Sequence, residues 1–335
     1  MSSRAFITGV SGPELSATER EFIRGERPWG FILFKRNVET PDQVSGLVDQ
    51  LRDCMGEVDA PFLIDQEGGR VARLKPPHWP ARPPAAFFGE LYRQRGRATA
   101  CEAVRLDARL IADDLYRLGI DVLCAPVLDL RYPTTHQAIG DRSFAGDPQV
   151  VSDLGASFID GAMEGGVIPV LKHIPGHGRA TRDSHFDLPV VEATADELAA
   201  SDFVPFRRLA ARAWGMTAHI VYRAFDAERP ATQSKIVISE VIRGRIGFDG
   251  FLMTDDLSMN ALGGDFAQRT ERALGAGCDA ILHCNGKMAE MTEVARAARP
   301  LSAISDERRR RIRSSPPAAC DRAALQATLD SLLAA

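Results

Sequence analysis

The sequence predicts an α/β chain whose eight strands close into a single barrel, and two observations carry that prediction. Short apolar runs rich in Ile, Val, Leu and Phe recur eight times, alternating with stretches of helical spacing. That is the pattern of parallel strands covered on both faces. Polar residues then stand at or just past the C-terminal end of these runs: Asp65, Asp129, Lys172, His173, His219, Asp255 and Asn285. In a (β/α)8 barrel of the TIM type those ends share one face, which carries the active site. A doubly wound open sheet is the competing arrangement, but no GxGxxG follows the first strand.

In chain order, Arg4–Thr8 reads as the first strand, closed off by Gly9, Gly12 and Pro13, and Glu14–Arg24 as a helix. Pro28–Phe34 is the second strand. Val44, Leu47, Val48 and Leu51 then recur at helical spacing between Pro41 and Met55, with proline at the start, where a helix tolerates it. Pro61–Ile64 is the third strand and runs into Asp65-Gln66-Glu67-Gly68-Gly69-Arg70, a polar turn. Residues 75–88, with five prolines, are expected to be irregular, followed by a helix over about 97–118 and a fourth strand over 121–125. A helix over Pro148–Gly165 leads to the fifth strand, Val167–Leu171. A helical stretch over Ala195–Arg212, bent or restarted at Pro205, leads to the sixth, Trp214–Ala218. A helix over Ser234–Ile246 and the turn Gly247-Phe248-Asp249-Gly250 precede the seventh strand, Phe251–Thr254. The eighth, Asp279–His283, follows a helix over Phe266–Gly275. Helices around 287–298, 304–313 and 321–333 end the sequence. Residues 1–300 are expected to form the barrel and 301–335 a C-terminal helical extension.

A net charge of −4 and a pI near 6.0 give no electrostatic reason to expect a nucleic-acid partner. The run Arg308-Arg309-Arg310-Arg311 follows Asp306 and Glu307 and is expected to be a solvated helix face. Six scattered cysteines without a CxxC pair argue for a reducing compartment. No segment has the length of a membrane span, and the first residues lack a signal-peptide core. A cytoplasmic monomer acting on a small molecule is expected, with neither membrane nor nucleic acid as a partner.

The chemistry concentrates in Lys172-His173-Ile174-Pro175-Gly176-His177-Gly178 and Asp183-Ser184-His185, which hold three of the seven histidines. Asp183 and His185 suit an acid/base pair, because a carboxylate fixes the imidazole tautomer and favours its protonated form. Asp255 follows an apolar strand and is expected to face the barrel mouth as a catalytic carboxylate. Asp256 projects the other way and is expected to brace a neighbour or cap a helix. Lys172 and His173 are placed to hold substrate oxygens, Asp65 to accept from hydroxyls, and Arg73 or Arg142 to bind an amide, carboxylate or hydroxyl. That inventory suits a sugar. A metal-dependent amidohydrolase using His173, His177 and His185 is a second reading. Pro175 and Gly176, however, interrupt the helical spacing of the first pair, and no HxH follows the first strand. A barrel that binds sugar without catalysis is a third.

These segments, with Asp65-Gln66-Glu67-Gly68-Gly69-Arg70-Val71, Gly247-Phe248-Asp249-Gly250 and Thr254-Asp255-Asp256-Leu257-Ser258-Met259, resemble the bacterial family 3 glycoside hydrolases over roughly residues 5–290. The likeness is strongest to the β-N-acetylglucosaminidase branch concerned with peptidoglycan recycling. It implies a retaining exo-hydrolase of terminal β-linked GlcNAc that needs no cofactor or metal. By the same resemblance Asp255 is the nucleophile, His185 the acid/base and Asp183 its partner. Asp65, Arg73, Arg142, Lys172 and His173 become substrate contacts, and His177 shapes the loop. A glycoside phosphorylase or β-glucosidase of the same family is the alternative. Ile174 and Thr254 depart mildly from the family pattern, and Gly9 and Ser11 stand where relatives are often acidic. The Gly176–His185 loop is expected to be mobile and to deliver His185 on closure.

Overall fold

The structure, a computed structural model, describes residues 3–56, 60–183, 187–317 and 319–334. Its strands are β1 (Arg4–Thr8), β2 (Pro28–Leu33), β3 (Phe62–Ile64), β4 (Val122–Leu123), β5 (Ile168–Ile174), β6 (Val190–Val191), β7 (Trp214–Thr217), β8 (Val221–Tyr222), β9 (Leu252–Asp256) and β10 (Ala280–His283). Eight of them close a parallel barrel in the order β1-β2-β3-β4-β5-β7-β9-β10 and back to β1. All eight predicted runs are barrel strands. The two extra strands, β6 and β8, pair with each other outside the barrel. They are too short to show a period in the sequence.

Side-chain alternation explains how the barrel fills and where it becomes polar. Successive residues of a strand point to opposite faces, so every second one faces inward. The inward set includes Leu63, Val122, Cys124, Ile168, Val170, Trp214, Met216, Phe251, Met253, Ala280 and Leu282, all nearly inaccessible to solvent. Adding two to Leu63, Val170 and Met253 gives Asp65, Lys172 and Asp255. The same alternation that packs the interior therefore delivers three charged residues to its C-terminal mouth. The outward residues, such as Phe6, Phe31, Phe62, Leu171 and Leu252, form the larger core against the surrounding helices.

The helices follow the predicted spacing with three differences. The helix expected over 97–118 begins at Ala85, and the chain breaks helical geometry at Gly96 (φ 83°). Proline richness thus ends earlier than 75–88 suggested, because Pro84 serves as the N-cap. Ala195–Arg212 is two helices, Ala195–Ala200 and Phe203–Leu209, with Pro205 in the first turn of the second, where its missing N–H costs nothing. Val237–Arg245 is wound as a π-helix. Helix starts carry side-chain caps at Ser16, Thr40, Asp147, Thr194 and Asp265.

The last helices take two positions. Ala303–Arg311 crosses the N-terminal end of the barrel, where Ser305 Oγ donates to Asp279 (2.8 Å) and Arg308 pairs with Asp279 and Asp249 (3.1 Å each). Ile312 then packs against the barrel interior. Arg322–Ala334 packs on the Ala85–Arg117 helix through Arg322, which pairs with Asp113 and Asp114 (2.6 Å each). All six cysteines are free. Among the described residues no helix is long and apolar enough to cross a membrane.

Candidate active site

A cavity of about 310 Å³ opens at the C-terminal mouth, within the size range of small-molecule sites. Its walls include Asp65, Arg73, Arg142, Lys172, His173, Asp183 and Asp255, so seven of the eight predicted site residues line one space. The eighth, His185, lies outside the described residues. Phe34, Met216 and Met259 supply apolar lining.

Lys172 organises one wall. Its ammonium, 2 % exposed, lies 2.7 Å from Asp65 Oδ1 and 2.6 Å from Glu67 Oε1. Asp65 also takes Arg73 at 3.0 Å, and Arg142 grips Glu67 with two parallel bonds of 2.8 Å. Three cations and two carboxylates thus interlock and retain one net positive charge. Burial alone raises a carboxyl pKa, yet Lys172 and Arg73 outweigh it and hold Asp65 well below the usual range. Glu67, opposed by Arg142 and Lys172, is pulled down to about 2 despite the same burial. Lys172, burial notwithstanding, is raised by its two carboxylates. Asp65, Arg73, Arg142 and Lys172 line the cavity, and Glu67 is clamped behind them between Arg142 and Lys172.

Local structure brings Arg73 back over Asp65. Gln66 Oε1 accepts from the amides of Arg73 (2.7 Å) and Leu74 (2.9 Å), and its Nε2 donates to Leu74 O (3.0 Å), folding residues 65–74 into a closed loop. Gly68 makes that turn possible. Its φ is 99°, and a Cβ there would stand 2.2 Å from the Pro83 carbonyl oxygen. Arg70 ties the loop to the next one by donating to Asp141 (2.8 Å) and Gln137 O (2.6 Å).

His173 forms the floor with Asp129 behind it. Asp129 Oδ2 lies 2.7 Å from His173 Nδ1, and Oδ1 accepts from the amides of His173 (3.1 Å) and His177 (2.7 Å). Asp129 is completely buried; burial raises its pKa, but His173 brings it below the ordinary value. The imidazole of His173 is thereby fixed with Nε2 free of Asp129. The strand was expected to end at Leu171 but continues to Ile174, so Lys172 and His173 are strand residues. The first part of the following loop is held in place by hydrogen bonds. Gly176 O accepts from Tyr222 (2.8 Å), Gly178 O from Thr135 (2.5 Å), and Gly176–Gly178 and Ala180 are buried. Arg179 is partly exposed, and Thr181 and Arg182 are exposed. Burial pushes the His177 imidazole down to about 4, so it is neutral and shapes this loop.

Asp255 occupies the opposite wall. Burial raises its carboxyl pKa, but His173, His219, the Asp256 amide (2.8 Å) and Lys172 together lower it, which keeps an ionised carboxylate facing the cavity. Asp256 caps no helix. It closes a turn, accepting from Ser258 N (3.0 Å) and from Cys284 N (3.0 Å), which clamps β9 to the end of β10. His219 stands behind it with Nε2 donating to the Asp256 carbonyl (3.0 Å) and Nδ1 2.7 Å from Thr232. Since a carbonyl can only accept, Nε2 carries the proton. Burial lowers the His219 pKa, so the ring is neutral.

Of the seven strand-end residues, Asp65, Lys172, His173 and Asp255 reach the cavity. Asp129 and His219 support them, and Asn285 turns away to pair with Glu290. The residue that sequence reasoning left out is Glu67. Its signal was its position two residues after Asp65, on the same face of an extended chain. Among the described residues no group of three or more His, Cys, Asp or Glu is arranged to hold a metal.

A parallel barrel with an ionised carboxylate, a histidine floor and a fixed cation–carboxylate wall defines a barrel enzyme for a polar, hydroxyl-bearing substrate. Residues 7–314 match the glycosyl hydrolase family 3 N-terminal domain, and the chain belongs to that family of glycoside hydrolases. A β-hexosaminidase of Tolumonas auensis is 40% identical over 285 residues, covering 83% of this chain and 82% of the relative. One from Aromatoleum aromaticum is 35% identical over 317 residues, covering 92% and 87%. The crystal structure of NagZ from Neisseria gonorrhoeae superimposes with a TM-score of 0.87 at 29% identity, covering 100% of this chain and 97% of that one. The same protein has been solved in complex with N-trifluoroacetyl-D-glucosamine, with the same TM-score, identity and coverage.

Proposed function

We propose that the chain is a retaining exo-β-N-acetylglucosaminidase that removes terminal β-linked GlcNAc, with GlcNAc–anhydro-muropeptides of cell-wall recycling as its cytoplasmic substrates. The observation that carries this reading is Asp255. It is an ionised carboxylate at the end of an inward-facing strand series, opening on a cavity of about 310 Å³ whose walls also hold the interlocked Asp65, Arg73, Arg142 and Lys172. The β-hexosaminidase relatives and the glucosamine derivative held by NagZ support the sugar.

In this mechanism Asp255 attacks the anomeric carbon and forms a glycosyl-aspartate, while His185 protonates the departing oxygen. Water then attacks the same carbon as His185 takes its proton back, and Asp255 leaves with configuration retained. Asp183, on the cavity wall two residues before His185, orients the imidazole and stabilises its protonated form. Asp65, Lys172, Arg73 and Arg142 hold the sugar hydroxyls and His173 faces the substrate from the floor. The loop that carries His185 closes to bring it in once the sugar is bound. The enzyme works as a monomer, with residues 1–300 as the catalytic unit and 301–335 as an accessory helical extension.

The test is release of an aryl alcohol from aryl β-GlcNAc beside aryl β-glucoside, with and without phosphate and with chelator. The reading expects turnover of the GlcNAc glycoside, indifferent to phosphate and chelator and lost in Asp255→Ala. Phosphate dependence with GlcNAc-1-phosphate as product would make it a phosphorylase. Chelator sensitivity would return the metal reading, and activity surviving in Asp255→Ala would remove the nucleophile.

A further inference from the structure

A second cavity lies at the other end of the barrel. It measures about 740 Å³, and its walls include the first residues of barrel strands, Val122, Ile168 and Trp214, with Trp29 beside them. The C-terminal segment arches over it, anchored on one side by Arg308 and Arg311 on Asp249 and on the other by Pro317 against Gly166. Arg309, Arg310 and Arg313 of that segment line the space, as does Arg52 from the Pro41–Met55 helix. The arginine run read from the sequence as a solvated face thus roofs an interior space.

Charge in this space is unbalanced. Four guanidinium groups face one lining carboxylate, Asp121, which already accepts from the Phe62 amide (3.2 Å) and neighbours Arg52 at 3.8 Å. Arg309 and Arg310 share the single carboxylate of Asp306, at 2.7 Å each. Arg313 donates only to the Arg310 carbonyl and has no carboxylate partner among the described residues. The walls below are aromatic. Trp29 and Trp214 are neighbours with ring centroids 5.6 Å apart, and Tyr116 lies at the edge. The indole N–H of Trp214, a residue only 3 % exposed, has no acceptor among the described residues, and a buried donor left unsatisfied costs about 1–3 kcal/mol.

Guanidinium forks bind phosphate, carboxylate and sulfonate in pairs of parallel hydrogen bonds, and flat apolar bodies pack on indole and phenol rings. We propose that this basal cavity is a second, non-catalytic ligand site for a small organic anion carried on a flat aromatic body. None of the residues assigned to the sugar cavity takes part, so the site is independent of the reaction proposed above.

Anilinonaphthalene sulfonate is a probe with both features, and inorganic phosphate and neutral N-phenyl-1-naphthylamine each have one. In a Trp79→Phe background, which leaves Trp29 and Trp214 as the only indoles, the sulfonate should bind one to one, quench tryptophan emission and be unaffected by saturating N-acetylglucosamine. Phosphate and the neutral amine should each bind at least about tenfold more weakly, as loss of one favourable element of about 1.4 kcal/mol implies. Arg310→Ala/Arg313→Ala removes two exposed side chains, so the melting temperature should hold while sulfonate affinity falls about tenfold or more. Absence of sulfonate binding, equal binding of the neutral amine, displacement by N-acetylglucosamine, or unchanged affinity in the double variant would each overturn the proposal.

Discussion

Replacing Glu67 by Gln keeps the side-chain shape and removes one negative charge from between Lys172 and Arg142. In the folded protein this carboxyl titrates near 2 rather than at its ordinary 4.5, and its side chain is 6 % exposed, so solvent screens the pairs little. At about 1.4 kcal/mol per pH unit, that difference corresponds to roughly 3 kcal/mol of stability at pH 7. The raised Arg142 and Lys172 record the same pairs and are not added to it. The sign is that of a depressed acid. The contribution is complete above pH 4.5 and is lost as the pH falls toward 2, reaching about half by pH 3. With an unfolding entropy near 2 cal/mol/K per residue, 335 residues convert 3 kcal/mol into a fall of about 4 °C in melting temperature. Calorimetry of both proteins from pH 3 to pH 8 measures it. Equal melting temperatures at neutral pH, or a deficit that does not shrink below pH 4.5, would refute the reasoning.

Three further outcomes are expected. Asp129→Asn leaves the fold in place but loses the charge that holds His173 and two backbone amides. Charge-assisted bonds of this kind are worth about 1.5–3 kcal/mol, so kcat/KM should drop roughly ten- to hundredfold, and a wild-type rate would contradict the supporting role. In Gly178→Ala the new Cβ would meet the Leu130 carbonyl oxygen at 1.8 Å. The pinned half of the loop must then shift, lowering stability by about 1–3 kcal/mol and turnover with it, as melts and rates on one preparation would show. The acid limb of kcat/KM should have its midpoint below pH 3.8, because the Asp255 carboxyl is held below that value and attack is lost only when it protonates. A midpoint near 5 would mean that another group controls the limb.

Much of the molecule was legible in one dimension because it rests on short periods. Apolar runs of a few residues gave all eight barrel strands. Counting by two from Leu63, Val170 and Met253 leads to Asp65, Lys172 and Asp255 once the barrel shows which face is inward. Helix spacing and capping residues placed most helices within a few residues of their observed ends. What the sequence could not determine was which charges meet. Glu67 and Arg142 lie 75 residues apart, and Lys172 and Asp65 lie 107 apart. Nothing local distinguishes a lysine that will bind substrate alone from one buried between two carboxylates. Strand-end position likewise could not separate Asp255, which faces the cavity, from His219 and Asn285, which face neighbouring elements. The arginine run near the C-terminus is the sharpest case. Alone it is a solvated helix, and only the path of the chain across the barrel base turns it into the roof of a cavity. Local spacing determines which face a side chain occupies, because backbone geometry repeats every two or 3.6 residues. Partners, burial and ionisation belong to closure of the barrel, which brings together residues that the sequence keeps far apart.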